Sequence, residues 1–393
     1  MSTTAPPRAV PVDRARVCVS LAFAANGLVF ATWVSRIPAV KADLGLSPGR
    51  LGLVLLAMAV GAVLALPSSG TVIARIGAAW TVRLASVLTC LGLALAGLAP
   101  DVPVLVVGLF LMGLGSGNWD VAMNVEGAEV ERRLARSIMP RFHAGFSAGT
   151  VVGALVGAGL VAVDVPTSVH LAGVAVVVAV VVLLICRDFL PAVPHPEGEP
   201  QPQRRNPLLA WREPRTLVVG LMVLAFAFAE GSANDWLAVA VVEGYGVSHA
   251  TGVLVFAVFV TAMTVGRMVG TVLLDRHGRV AVLRATAVLA VTGLMLVVLG
   301  GSVPLAALGA VLWGIGASLG FPVGMSAGAD DPAHSAARVS VVSSIGYTAF
   351  LAGPPLIGFL ADRIGVLSAL WVVVAVLATG LVTARAAREP ARA

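Results

Sequence analysis

Most of the chain consists of apolar runs of about 20 residues that are separated by short polar breaks. Of its 393 residues, 58% are hydrophobic and only 12% are charged, and the mean hydropathy is +0.96. Soluble domains carry roughly 25% charged residues, whereas a helix of about 20 apolar residues can cross a lipid bilayer. Because irregular backbone cannot face lipid, we expect an all-α membrane protein.

Twelve of these runs are predicted to be transmembrane helices, six on each side of a polar, proline-rich segment. The predicted domains are an N-terminal six-helix bundle (residues 1–190), a cytoplasmic linker (191–215) and a C-terminal six-helix bundle (216–393). The predicted spans are residues 17–36, 51–70, 80–99, 104–125, 141–162, 167–186, 216–238, 250–272, 280–300, 304–325, 338–360 and 366–385.

The placement of the cationic residues predicts the orientation. With the N-terminus in the cytoplasm, 21 of the 26 lysine and arginine residues fall in cytoplasmic loops and tails, and four fall outside. Cationic residues accumulate on the cytoplasmic side of membrane proteins. We therefore expect a multi-pass protein of the inner (plasma) membrane with both termini cytoplasmic. Topology alone then explains the net charge of +6, and no nucleic-acid partner is expected.

Short segments of the first half recur 201 residues later in the second half. Duplicated membrane-embedded chains are typical of alternating-access transporters, whose substrate site lies between the repeats. The matching segments are Gly45-Leu46-Ser47 with Gly246-Val247-Ser248, Arg75-Ile76-Gly77 with Arg276-His277-Gly278, Gly113-Leu114-Gly115-Ser116 with Gly314-Ile315-Gly316-Ala317, and Gly145-Phe146 with Gly346-Tyr347.

Two loops carry a resemblance to a known family. Residues 70–77 and 271–279 resemble the G-x-L-x-D-R-x-G-R loop of the major facilitator superfamily, and each follows the second span of its half. The first copy has Ala74 where the family has Asp, and the second has Thr271 in place of the first Gly. The spans, the duplication and the linker extend the resemblance over the whole chain.

The resemblance implies a twelve-helix fold in two pseudo-symmetric bundles, a small-molecule substrate, a monomer in the lipid bilayer, and loops that latch the cytoplasmic side. The latch role is better supported in the second copy, and the alternative is that the loop arginines merely anchor helix ends at the lipid headgroups. The candidate gating residues are Arg75, Gly77, Asp275, Arg276, Gly278 and Arg279.

Polar residues inside spans are costly in lipid and therefore mark candidate functional positions. Glu230 lies about 14 residues, or roughly 21 Å, into span seven. Asn26 occupies the matching place in span one, and each span also carries a tryptophan at a similar depth. Amide and carboxylate groups can hydrogen-bond a polar substrate, while tryptophan offers an apolar face. The predicted substrate-binding residues are Asn26, Trp33, Asn118, Trp119, Asn124, Glu230, Asn234 and Trp236.

Span four supplies a candidate for proton coupling. Asp120 and Asn124 are four residues apart and share one helix face, and His143 begins span five just across a short loop. A carboxylate near a histidine can titrate close to cytoplasmic pH. The chain is similar here to fucose-permease-like sugar and proton symporters, which use an acidic residue in span four. Glu230 is the rival carrier, and the alternative for both acids is a structural role between helices.

Arg267 falls inside span eight, near its inner end. It could attract an anionic group of a substrate, but at that depth we expect it to snorkel to the headgroups or to pair with Asp275. The sequence contains no phosphate-binding loop and no metal-ligand spacing, so we expect no enzyme and no cofactor other than the coupling proton.

These features together predict a proton-coupled secondary transporter of a small organic solute. The lack of a charged substrate cage and the pair of tryptophans favour efflux, as an antiporter. The likeness at span four favours the alternative, symport uptake of a sugar- or nucleoside-like solute. An alternative of another class is a non-transporting membrane sensor on the same fold.

Overall fold

The computed structural model describes residues 10–134, 138–190, 207–331 and 334–389. Within these ranges the chain forms helices and no strand, as the composition predicts. The linker predicted at residues 191–215 lies mostly outside the described residues. The α-helices are α1 (Val12–Val34), α2 (Ile37–Asp43), α3 (Pro48–Gly97), α4 (Val102–Leu134), α5 (Met139–Ala162), α6 (Thr167–Ile185), α7 (Pro214–Ser232), α8 (Ala238–Tyr245), α9 (His249–Leu299), α10 (Val303–Ala317), α11 (Gly320–Gly328), α12 (Ser335–Ile364), α13 (Val366–Ala369) and α14 (Trp371–Thr383).

Ten helical stretches in the described part of the chain are long and apolar enough to cross a membrane. The sequence predicts twelve, and the difference lies in α3 and α9, which are 50 and 51 residues long. At 1.5 Å per residue each would measure about 75 Å, whereas a hydrocarbon core is about 30 Å thick. Each contains two predicted spans, because only one residue between those spans departs from helical geometry.

That residue is a glycine from the repeated loop, and it has the same conformation in both copies. Gly77 has φ 79° and ψ 161°, and Gly278 has φ 75° and ψ 160°. Positive φ values of this kind are accessible to glycine but strained for other residues. The two kinks in α3 and α9 therefore follow directly from the Arg-x-Gly sequence that recurs at the offset of 201 residues.

The turn that precedes each of these long helices is also repeated. Gly45 and Gly246 both adopt left-handed φ values, 59° and 64°. Two residues later, the hydroxyls of Ser47 and Ser248 each accept a hydrogen bond, at 3.3 Å, from the backbone N–H three residues further on. Such caps satisfy backbone donors that the first helical turn leaves unpaired. The matching sequence thus produces matching helix starts.

Close helix packing follows the same repeat. The Gly113 backbone lies against the carbonyl of Met58, and the Gly314 backbone lies against the carbonyl of Phe259, which is 201 residues beyond Met58. Neither position has space for a Cβ atom. In lipid, where helices gain little from hydrophobic burial against each other, small residues let backbones approach closely.

The chain divides into two compact units. The first contains residues Met1–Trp33, Ala57–Gly153 and Pro166–Pro200, and the second contains Val34–Leu56, Ala154–Val165 and Gln201–Ala393. In the second unit, the Asp362 carboxylate near the end of α12 accepts a hydrogen bond of 3.0 Å from the Gly49 N–H in the first turn of α3. The predicted division into two six-helix bundles stays a prediction.

Large apolar side chains cover the outer surfaces of the helices. Val176, Met268 and Val382 are 64%, 66% and 73% exposed, respectively. An apolar surface of this extent is unfavourable in water and marks contact with lipid or a partner. Together with the span-length helices, this surface defines a multi-pass membrane protein.

Candidate functional site

The first unit places the predicted polar residue of span one against span four. Asn26 is buried on α1, and its side-chain oxygen accepts a hydrogen bond of 3.3 Å from the Ser116 hydroxyl on α4. Two residues further along α4, Asn118 accepts from the Ser69 hydroxyl at 3.0 Å and donates to the Leu114 carbonyl at 2.9 Å. These amides therefore already bond to protein groups, which joins α4 to its neighbours.

Asp120 is an exposed acid on α4, within a predicted span of the first unit. Its carboxylate accepts a hydrogen bond of 3.3 Å from Asn124, whose amide also donates to the Asp120 backbone carbonyl at 2.8 Å. The predicted shared face of Asp120 and Asn124 is therefore present. No arginine, lysine or histidine of the described residues forms an ion pair with Asp120.

His143 is exposed at the start of α5, and its ring packs edge-on against Phe23 with the centroids 5.2 Å apart. Phe23 also stacks on Phe142 at 5.6 Å. Within the described residues the structure does not bring His143 into a hydrogen bond with Asp120, so the predicted partnership is not formed in this conformation.

The three tryptophans predicted to contact substrate are all fully covered. Trp33, Trp119 and Trp236 are 1%, 0% and 0% exposed, and none of their indole N–H groups has a hydrogen-bond acceptor within the described structure. Buried tryptophan N–H groups usually have a partner. In this conformation the three rings contribute packing, and contact with a solute would require a helix to move.

In the second unit the main polar feature is an ion pair between α7 and α9. Arg267 donates from Nη2 to Glu230 Oε1 at 2.9 Å, and the two side chains are 31% and 18% exposed. This corrects the expectation that Arg267 snorkels or pairs with Asp275. The sequence analysis missed the pair because the two residues are 37 positions apart and meet only through helix packing.

Arg267 also donates a hydrogen bond to a backbone carbonyl that a proline leaves without its usual helical partner. Proline lacks an N–H and its ring clashes with the carbonyl four residues earlier, so Pro322 cannot bond to Ser318 within a helix. Helix α10 accordingly ends at Ala317 and α11 begins at Gly320. The Ser318 carbonyl accepts a long hydrogen bond of 3.4 Å from Arg267 Nε. The proline in the sequence is thus the feature that could have indicated this anchor.

Helix α7 changes its hydrogen-bonding pattern just beyond Glu230. Residues Ala233–Leu237 form a π-helical segment, a type of bulge that occurs frequently at functional sites. The segment carries Asn234 and Asp235, both half-buried and without a hydrogen bond to any described residue. Polar side chains inside a membrane span are costly unless they face a partner or water.

The candidate gating residues of the second loop do not all act alike. Arg279 donates to Asp330 at 2.7 Å and to the Ser326 hydroxyl at 2.9 Å. By contrast, Asp275 and Arg276 are exposed and form no ion pair with a described residue. Asp330 was not predicted, although an acid at the end of span ten is visible in the sequence.

In the first loop Arg75, like Arg276 in the second, is exposed and forms no ion pair within the described ranges.

Among the described residues no group of three or more His, Cys, Asp or Glu side chains is arranged to hold a metal ion. The polar chemistry inside the spans includes Asp120 with Asn124, the half-buried Asp235, the Glu230–Arg267 pair, and uncharged amides and hydroxyls.

A set of span-length helices with few interior charges and two repeated loops defines a polytopic transport-type membrane protein. The family model described as Major Facilitator Superfamily matches residues 18–336 and 240–393. The chain belongs to the major facilitator superfamily.

Relatives in sequence support this membership. The chain is 32% identical over 390 residues to an uncharacterized MFS-type transporter of Yersinia pestis, covering 98% of this chain and 99% of the relative. It is 32% identical over 347 residues to the uncharacterized transporter y4wD of Sinorhizobium fredii, covering 88% and 90%. The chain is thus a transporter-family membrane protein and not an enzyme.

Solved structures share the fold at low sequence identity. The nucleoside transporter NupG matches with a TM-score of 0.74 at 14% identity, covering 95% of this chain and 98% of that one. The transporter FucP in its outward conformation matches with a TM-score of 0.64 at 17% identity, covering 95% and 99%. At these identities the likeness concerns the fold alone.

Proposed function

We propose that this chain is a secondary active transporter that moves a small organic solute across the inner membrane, with a proton as the coupling ion. In this proposal twelve spans form two six-helix bundles, residues 191–215 link them in the cytoplasm, and the protein works as a monomer with both termini cytoplasmic. The bundles open a shared site alternately to each side. Family membership, the repeated backbone geometry at Gly77 and Gly278, and the NupG and FucP folds support it.

The observation that carries proton coupling is the state of Asp120. Its side chain is exposed within a span-length helix and forms no ion pair with a described cation. Protonation would therefore remove a costly charge without leaving an unpaired cation inside the membrane. A proton can bias two conformations only if they bind it with different affinity, so Asp120 should differ in its surroundings between the two states.

Glu230 is less suited to carry the proton. It is hydrogen-bonded to Arg267 at 2.9 Å, and protonating it would leave the guanidinium without its counter-charge. A cation left without its counter-charge inside a span is costly. We therefore assign the proton to Asp120 and a solute-binding role to Glu230, with His143 as a group that adjusts proton access near the start of α5.

Uptake of the solute together with protons is the direction that we propose, and the Glu230–Arg267 pair favours it because the pair offers hydrogen bonds to a polar solute. Export against protons, the direction that the sequence analysis favoured, is the second candidate. The sequence-based argument for export depended on the absence of a charged substrate cage, so this pair weakens it. The names of the fold neighbours, a nucleoside transporter and a fucose:proton symporter, also fit uptake of a hydroxylated solute.

The test is flux in proteoliposomes with an imposed pH gradient, using labelled uridine, L-fucose, L-leucine and tetraphenylphosphonium as test solutes. The wild-type protein should move at least one of them in a gradient-dependent manner, and the sign of the gradient that drives accumulation gives the direction. Asp120→Asn should abolish gradient-driven accumulation while keeping exchange of solute for solute. Asp101→Asn is the matched control, since Asp101 is an exposed acid just before α4 that only caps the Val104 N–H. If Asp120→Asn accumulates solute as well as the control does, the proton assignment is wrong.

A further inference from the structure

The Glu230–Arg267 pair leaves hydrogen-bonding capacity unused. Glu230 bonds through Oε1, and its second carboxylate oxygen has no partner among the described residues. Arg267 uses Nη2 and Nε, and the other N–H groups of the guanidinium contact no described acceptor. Asn234, four residues after Glu230, is also without a partner in the described ranges. The pair thus presents an acceptor and a donor side by side.

The formal charges of the pair cancel, which restricts the solute. Both side chains are partly exposed although Glu230 lies near the middle of the 32-residue stretch Pro214–Tyr245. Charged groups at such a depth face the protein interior or a water-filled space and not lipid. A charged solute bound there would bring an uncompensated charge into a site of low polarity, whereas an uncharged polar solute would not. The site therefore suits a neutral solute that both donates and accepts.

A row of three aromatic rings lies beside the pair, and we call Phe321, Tyr347 and Phe350 the aromatic row. The Phe321 and Tyr347 centroids are 6.4 Å apart, and the Tyr347 and Phe350 centroids are 6.1 Å apart. All three side chains are half-buried. Aromatic pairs at such distances are stabilising, and a flat ring of a solute can add to them in an offset stack.

Both ends of the aromatic row lie close to residues that neighbour or contact the ion pair. Phe350 packs on Gly231, next to Glu230, where an added Cβ would lie 3.0 Å from its ring. Phe321 follows the helix break at Ser318, whose carbonyl holds Arg267. The polar pair and the row are therefore adjacent parts of the second unit, one for hydrogen bonds and one for an apolar ring face.

We propose that Glu230, Arg267 and the aromatic row form a binding site for an uncharged, nucleoside-like solute, a flat ring joined to a group with two neighbouring hydroxyls. One hydroxyl donates to Glu230, the other accepts from Arg267, and the flat ring stacks on the aromatic row. This inference rests on the proposed transport function and adds the class of solute to it. It assigns solute-binding roles to Phe321, Tyr347 and Phe350, which the sequence analysis did not, and gives Arg267 an uncharged hydroxyl as its partner in the solute.

The test compares two solutes that differ only in the hydroxyl pair, uridine and 2′,3′-dideoxyuridine. Binding to the purified full-length protein in detergent is measured by isothermal titration calorimetry, which requires no transport. We expect uridine to bind the wild type at least about tenfold more tightly, because hydrogen bonds to charged groups are among the stronger ones. Equal binding of the two compounds, or binding of neither, would overturn the proposal.

Variants separate the two parts of the site. The double variant Glu230→Gln/Arg267→Gln removes both charges together, so neither is left unpaired, and it should bind the two nucleosides within about twofold of each other. Phe350→Leu should weaken both nucleosides by a similar factor, about threefold to tenfold, and keep the preference for uridine. Each variant is first checked for the elution volume and unfolding temperature of the wild type. If the double variant does not fold, Phe350→Leu alone tests the site.

Two control variants address general effects. Glu243→Gln removes a different ion pair of the second unit, the one with Lys41, and Phe110→Leu removes a half-buried ring of the first unit. Both should retain wild-type affinities and the uridine preference, and controls that lose binding as much as the site variants do would refute the site. The proposed transport function is judged separately, since gradient-driven flux of any other test solute that depends on Asp120 would stand even if neither nucleoside binds.

Discussion

Replacing Asp330 with alanine should destabilise the second unit by about 3 kcal/mol. Asp330 follows α11, is 7% exposed, and accepts hydrogen bonds from Arg215 at 2.6 Å and from Arg279 at 2.7 Å. Removing one partner of a buried ion pair costs about 3–5 kcal/mol, because the remaining charge stays desolvated. We take the low end because Arg215 is 41% exposed and Arg279 keeps its bond to Ser326.

The matched control is Glu129→Ala in the last part of α4. Glu129 also pairs with two arginines, Arg132 at 2.7 Å and Arg133 at 2.6 Å, but these are neighbours on one helix, and Arg132 is 66% exposed. Ion pairs between neighbours on one helix contribute about 0.3–0.5 kcal/mol each, so the control with its two pairs should lose about 1 kcal/mol or less in total.

The assay is equilibrium unfolding of both variants in mixed detergent and SDS micelles, followed by tryptophan fluorescence. The wild type, Glu129→Ala and Asp330→Ala should unfold at successively lower SDS fractions, and Asp330→Asn, which keeps the shape and one acceptor oxygen, should lie between the last two. If Asp330→Ala unfolds together with Glu129→Ala, the buried carboxylate does not tie the repeated loop to the end of α11, and the reasoning fails.

Two further outcomes follow from the packing and from the ionic contacts. Gly113→Val should yield little folded protein, because its side chain would collide with the rigid Met58 carbonyl, whereas Gly173→Val, where nothing lies within 4 Å of the added Cβ, should express as the wild type does; equal yields in size-exclusion chromatography would contradict this. Arg338 donates to Glu213 at 2.6 Å and holds the pKa of that carboxyl below its ordinary value of 4.5. The stabilisation is therefore complete above that ordinary value and is lost as the pH falls through the lower folded-state pKa. The stability advantage of the wild type over Glu213→Gln should accordingly shrink between about pH 7 and pH 3.5, and an advantage that grows on acidification would refute the assignment.

The features that the sequence predicts well are those that depend on local backbone chemistry. The helical class follows from apolar run length, and the kinks at Gly77 and Gly278 follow from a glycine in the same short motif. The number of spans is less predictable, because in α3 and in α9 a single non-helical residue lies between two predicted spans, and the backbone is otherwise one continuous helix.

The features that the sequence predicts poorly are pairings between distant helices. Arg267 could pair with any acid that packing brings within reach, and the choice of Glu230 over Asp275 depends on where α7 and α9 meet. Likewise Trp33 and Trp236 have matching positions in predicted spans one and seven, yet both side chains are buried. Residue type and depth therefore identify candidates, and packing decides which of them face a solute.

The two repeats diverge in their side-chain chemistry even where their backbones agree. Gly113 and Gly314 pack on carbonyls 201 residues apart, so the sequence is constrained wherever backbone geometry or close packing requires glycine. No such constraint applies to the interior polar side chains: the first repeat has the exposed Asp120 without a cation among the described residues, and the second has the Glu230–Arg267 pair beside the half-buried Asp235. An acid without a cation can exchange a proton at little electrostatic cost, whereas a neutralised pair can bind a solute without changing charge. The pair favours a division of labour in which the second repeat recognises the solute and the exposed Asp120 of the first repeat responds to protons.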